Sequence, residues 1–166
     1  MSKTHPSLRA STPPPPYILA LDIGTSHARA QLFDRLGNAV PGIEGRQSYQ
    51  FTILPEGGIE MDADELLAHI IGSIDQVLER SGRLAKDISG VAVCTFVSNI
   101  LGIDRNGRAV TPLIPYSDTR PAAETRLLRQ QRDEEATHQR VGTYFHSSYL
   151  PARLLWFSRT QPELVQ

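Results

Sequence analysis

One cysteine, Cys94, in 166 residues excludes an internal disulfide. Its place in an apolar run points to a buried thiol, kept reduced in a cytoplasm. No hydrophobic run is long enough to span a bilayer. The N-terminus is polar and then proline-rich, without the apolar stretch of a secretory signal. A cytoplasmic protein with no membrane partner is therefore expected. Neither sign of charge dominates: Lys+Arg 17 stand against Asp+Glu 18, a formal net charge of -1. A nucleic-acid surface needs a basic excess, so no nucleic-acid partner is expected, although a local phosphate site stays open. What remains is 40% hydrophobic and 21% charged, the balance of a globular domain with its own core.

Residues 1–16 read as a disordered leader ending in Pro13-Pro14-Pro15-Pro16, which favours polyproline II and could dock a partner. Structure is expected from Tyr17. Tyr17-Ile18-Leu19-Ala20-Leu21 fits a buried strand, and 22–26 is turn chemistry. Residues 27–34 alternate, with Ala28, Ala30 and Leu32 on one face. Two such strands around a tight turn predict a hairpin. A third strand is expected over 47–54. Asp62 followed by Glu65 has capping-box spacing. Leu66, Leu67, Ile70, Ile71, Ile74, Val77 and Leu78 then recur at helical period up to a stop at Gly82.

Residues 88–94 read as another buried strand, and 100–104 as its antiparallel neighbour or continuation. Asn106-Gly107 is a hairpin-tip signal. A second helix is expected from Pro121 to about Gln139, and a third over 149–158. The expected class is α/β, with a mixed sheet that opens on antiparallel hairpins rather than on βαβ repeats.

The chemistry-bearing candidates begin at the first turn. Gly24 lets a backbone approach a phosphate, Thr25 and Ser26 add hydroxyls, and successive turn N–H groups can form an anion-binding concavity. Asp22 is placed to hold Mg²⁺ or its waters. Arg29 supplies a cation near phosphate charge. An ordinary hairpin with polar turn residues would show the same letters.

The pattern of an apolar strand, Asp22, Gly24, Thr25, Ser26, Arg29 and a second strand ending at Phe33-Asp34 resembles the first phosphate motif of the sugar kinase/actin/Hsp70 superfamily. More narrowly it resembles the FGGY carbohydrate kinases. Further matches follow in order. Gly57-Gly58-Ile59-Glu60-Met61-Asp62-Ala63-Asp64-Glu65 is similar to the family's approach to its first long helix, with Ala63 in place of Pro. Leu101 to Gly107 resembles its Asp-x-x-Gly hairpin. Pro112 to Arg120 resembles "Pro-x-x-x-Trp-x-Asp-x-Arg", with Tyr116 in place of Trp. Arg153-Leu154-Leu155-Trp156 through Pro162-Glu163 resembles a later segment, with Arg153 in place of Lys. His146-Ser147-Ser148-Tyr149 is most similar to gluconate-kinase-type members.

The resemblance implies a ribonuclease-H-like, actin-like ATPase domain over residues 17–166, incomplete in this chain. It implies transfer of the ATP γ-phosphoryl to a sugar or sugar-acid hydroxyl, gluconate or a pentulose for example, with ATP and Mg²⁺ as cofactors. Asp22 would organise the metal. Gly24, Thr25, Ser26 and Arg29 would hold phosphates. Ser98, Asn99, Tyr116 and Asp118 would line the sugar side. Ser98 and Asn99 could equally form a plain strand-end turn. Tyr116 could be a packed core aromatic, Asp118 could cap a helix or pair with Arg120, and His146 suits packing better than catalysis. No catalytic residue is assigned: the family's general base and adenosine site are expected beyond Gln166, in a missing C-terminal part. The isolated chain is therefore expected to lack turnover. It is also expected to expose an apolar patch and a sheet edge that favour homo-oligomers. Two other readings stay open: a non-catalytic truncated fragment, and a nucleotide-hydrolysing or nucleotide-sensing member of the superfamily.

Overall fold

Alternation along the first two apolar segments produces the expected hairpin. In the computed structural model, which describes residues 13–164, β1 (Tyr17–Ile23) pairs antiparallel with β2 (His27–Phe33), with Asp22 opposite Arg29. Most of the predicted leader, residues 1–12, lies outside the described residues. β2 pairs antiparallel with β3 (Ala39–Ser48). On the other side, β1 runs parallel to β6 (Ile88–Thr95), giving the order β3-β2-β1-β6. β4 (Thr52–Ile53) and β5 (Ile59–Glu60) form a small separate ladder. The sheet is thus mixed and opens antiparallel, as its pattern predicts.

α1 (Ala63–Ser81) starts where the sequence says it should: Asp62 accepts from the Glu65 N–H at 2.9 Å. It ends at Gly82, whose N–H returns to the Leu78 carbonyl. The helix lies across β2 and β3. Val77 and Leu32, both fully buried, meet Tyr17, Leu19, Ala30, Val40 and Ile43 in one core cluster. Burying a side chain of this size contributes about 1.5–3 kcal/mol each. Gly45 makes the approach possible, because a Cβ there would sit 2.0 Å from the Ser73 carbonyl oxygen. A second cluster of Ala28, Tyr49, Met61, Leu66 and Leu113 joins the hairpin end to the segment that follows β6.

Several expectations are corrected. The third strand is β3, earlier than 47–54; Pro41, Gly42 and Gly45 weaken its strand signal. After Ser48 the chain leaves the sheet, because Tyr49 turns into the core and donates its N–H to the Ser26 carbonyl at 3.1 Å. β6 is not buried: it is an edge strand of the sheet, with Val91, Val93 and Cys94 exposed. The segment 100–104 forms isolated bridges, Ile100 to Ile114 and Ile103 to Ala109, the latter closing the Asn106-Gly107 tip. The second helix is two: α2 (Ala122–Gln131) and α3 (Glu134–Val141). Asp133 caps the latter by accepting from the Ala136 N–H at 2.9 Å. α4 (Leu150–Thr160) packs against α2. No helix among the described residues is long and apolar enough to cross a membrane.

Candidate functional site

The β1–β2 turn is held from below. Gly24 N–H donates to the His27 carbonyl at 2.9 Å, which leaves Thr25 and Ser26 exposed at the tip. The buried Tyr49 donates its hydroxyl to the Gly24 carbonyl. Burial, and secondly the Asp22 charge, push the Tyr49 phenol above its ordinary pKa, so it stays a donor. Asp22 and Arg29 stand opposite each other on the sheet face away from α1, with Nη1 and Oδ2 3.9 Å apart. That is a loose, solvated pair, and neither group is committed to the other. Both line a shallow cavity of about 350 Å³, with Ala92 and Cys94 on its floor.

The second group of candidates adjoins the first. Phe96 N–H donates to the Ile23 carbonyl at 3.0 Å, tying the end of β6 to the turn. Tyr49, Phe51 and Phe96 form an edge-to-face aromatic row beneath both segments. Ser98 follows with φ of 52°, a left-handed conformation that a non-glycine residue rarely adopts. Asn99 Nδ2 closes the loop by donating to the Phe96 carbonyl at 2.5 Å. The Ile100–Ile114 bridge sets this segment beside the one carrying Tyr116. Tyr116 is not core: it is 47% exposed and stacks on His146, with centroids 5.2 Å apart. His146 Nδ1 accepts from the Ser148 N–H at 3.1 Å, which makes Nε2 the donor of a neutral ring. Of the readings open for Asp118, the pair with Arg120 is the one observed. Asp118 is fully buried, and its Oδ2 accepts from Arg120 Nε at 2.9 Å and from the Ile59 N–H at 2.8 Å.

A profile comparison decides the family. The profile of the N-terminal domain of the FGGY family of carbohydrate kinases matches residues 17–166. The chain belongs to the FGGY family. An autoinducer-2 kinase of Enterobacter sp. (strain 638) is 31% identical over 152 residues, covering 90% of this chain and 28% of that protein. A glycerol kinase of Koribacter versatilis is 31% identical over 150 residues, covering 89% of this chain and 30% of that protein. The crystal structure of a xylulose kinase from Rhodospirillum rubrum superposes with a TM-score of 0.82 at 24% identity, over 89% of this chain and 30% of that one. The fold is thus the actin-like ATPase fold of sugar kinases, and this FGGY chain spans under a third of the length of the relatives it matches.

Three arginines complete the frame of this FGGY domain. Arg153 is 1% exposed and donates to the Ile114 carbonyl at 2.8 Å and to the Pro115 carbonyl, so it clamps the backbone that presents Tyr116. Burial lowers its pKa, and the Asp118 charge opposes that shift. Arg120 bonds Asp118 and Glu60 and lies 4.8 Å over the Trp156 ring. Arg46 reaches His27 at the β1–β2 turn. Arg153 and Arg120 carried sequence signals, in the Arg-Leu-Leu-Trp and Asp-x-Arg segments, whereas Arg46 carried none.

Proposed function

We propose that the whole protein transfers the γ-phosphoryl of ATP to a hydroxyl of a sugar or sugar acid in the cytoplasm, and that this domain supplies the phosphate turn and one wall of the sugar pocket. One observation carries the proposal: the Phe96–Ile23 hydrogen bond and the aromatic row beneath it set the Gly24–Ser26 turn next to the Ser98–Asn99 loop. Donor and acceptor of the phosphoryl group need that adjacency, since such transfer relies on positioning and charge neutralisation. Gly24, Thr25, Ser26 and Arg29 hold phosphate oxygens. Ser98, Asn99 and Tyr116 face the sugar, the His146 donor beside Tyr116 suits a hydroxyl or a carboxylate, and Asp118 braces the wall from behind.

Asp22 is the residue that would hold Mg²⁺. Among the described residues no three His, Cys, Asp or Glu side chains gather as a metal cluster. A single exposed carboxylate beside a phosphate turn nevertheless fits this ion, which keeps several waters and takes its other ligands from phosphates. When bound, the ion would neutralise phosphate charge.

The test is Asp22→Asn in the whole protein. The side chain is exposed, so thermal stability should be unchanged, while kcat should fall about 100-fold or more. Unchanged kcat at saturating Mg²⁺ and ATP would remove Asp22 from this role. Lowered stability with full turnover would make it a turn residue only.

A further inference from the structure

Beside the phosphate turn lies a contact that its motif does not include. Arg46 Nη2 is 2.6 Å from His27 Nε2, and His27 Nδ1 is 2.7 Å from Ser26 Oγ. A guanidinium only donates, so Nε2 must offer a lone pair. The ring is then neutral with its proton on Nδ1, and Nδ1–H donates to Ser26 Oγ. The opposite tautomer would set two donors against each other at 2.6 Å. With one lone pair occupied, the Ser26 hydroxyl proton is free to point away from His27, into the open space above the turn.

We infer that Arg46, acting through His27, sets the Ser26 hydroxyl as a donor to a phosphate oxygen at this turn, which makes Arg46 and His27 positioning residues. The inference rests on the phosphate reading of the turn proposed above. Cross-strand register supports it independently. Arg46 pairs directly with Arg29, and facing like charges on adjacent strands are destabilising. Asp22, on the far side of Arg29, and Glu44, two residues along β3 from Arg46, are the nearby acids in this part of the sheet. Neither bridges the two guanidinium groups among the observed ion pairs of the described residues. A bound anion would offset that repulsion. Loss of hydration and the charges of Arg46 and Arg29 hold the His27 pKa below its ordinary value, in keeping with a neutral ring.

The experiment uses the full chain with isotope-labelled histidine and inorganic pyrophosphate as probe. Long-range ¹H–¹⁵N spectra, with His27 assigned by its loss in His27→Asn, should show the Nδ1–H tautomer, and Arg46→Gln should shift it toward Nε2–H. Pyrophosphate affinity should drop about tenfold in Arg46→Gln and in His27→Ala, the size of one charge-assisted hydrogen bond. It should recover in His27→Asn, whose amide N–H can take the place of Nδ1–H. An Nε2–H tautomer or a protonated ring in the unaltered chain overturns the inference. So does unchanged affinity in both variants when Arg29→Gln has lost it. If Arg29→Gln also binds as the unaltered chain does, or if the unaltered chain does not bind at all, the phosphate reading of the turn fails first and takes this inference with it.

Discussion

Gly24 separates a fold requirement from a site requirement. Its φ is not positive, and a Cβ there would meet only the His27 carbonyl oxygen, at 3.5 Å. The fold therefore does not need glycine at this position. Gly24→Ala should leave stability equal or higher by up to about 1 kcal/mol, because it lowers the entropy of the unfolded chain. In the whole protein the same change should raise KM for ATP if the turn holds phosphate as proposed, since the methyl would occupy that space. Calorimetry and kinetics on one variant read both effects. Asp34 shows the reverse: its carboxylate is structural. Oδ1 accepts from the Leu36 and Asn38 N–H groups at 2.8 and 2.9 Å, and Asp104 repeats the arrangement with Asn106 and Arg108. The backbone bonds, to Asn38 and to Arg108 first, draw both carboxyls below their ordinary pKa. The stabilisation is therefore complete above the unfolded value of about 4 and is lost as pH falls through the folded values. Asp34→Asn with Asp104→Asn should flatten the loss of Tm on acidification below about pH 5, and an unchanged slope would deny these turns that role. The second turn was legible in part, as the Asp-x-x-Gly hairpin with its Asn106-Gly107 tip. The contact of Arg46 with His27 was not legible, because it depends on cross-strand register.

Among the elements, α1 and the hairpin could be read directly because their signals are local: a cap, a period, a stop and an alternation. β3 could not, since its proline and glycines argue against a strand while the packing of α1 demands one. Gly45 is the residue where the two meet. The atom a Cβ would strike is backbone, the Ser73 carbonyl oxygen, and cannot swing aside. Gly45→Ala should cost about 3 kcal/mol by pushing α1 off the sheet, measured by denaturant midpoint at constant slope. A cost near zero would mean that α1 does not sit as closely as described. The split between α2 and α3 was written in the sequence as Asp133 followed by two glutamates, a start signal inside what reads as one helical run.

Taken whole, the molecule has two unlike sheet edges. On β3, Gln76 accepts the Arg46 N–H at 2.8 Å, Arg80 donates to the Glu44 carbonyl, and the strand carries charge and proline. Those devices block strand addition. β6 has no charge and no proline, and its Val91 and Val93 are 59% and 62% exposed. An apolar run reads the same whether it is covered or bare, so sequence alone could not show this exposure. The isolated chain should self-associate through β6, and Val91→Lys with Val93→Lys should render it monomeric in sedimentation. Association that survives both changes would place the contact elsewhere. A different surface joins the two halves of the described structure. Along it, Met61 pairs with Leu113, Thr119 N–H bonds the Gly57 carbonyl, and Arg120 links Glu60 and Asp118 while resting on Trp156. Trp156 is the chain's single tryptophan. Nature has thus placed the one strong fluorophore on the seam, so its emission should register any parting of sheet and helices, with no dye attached.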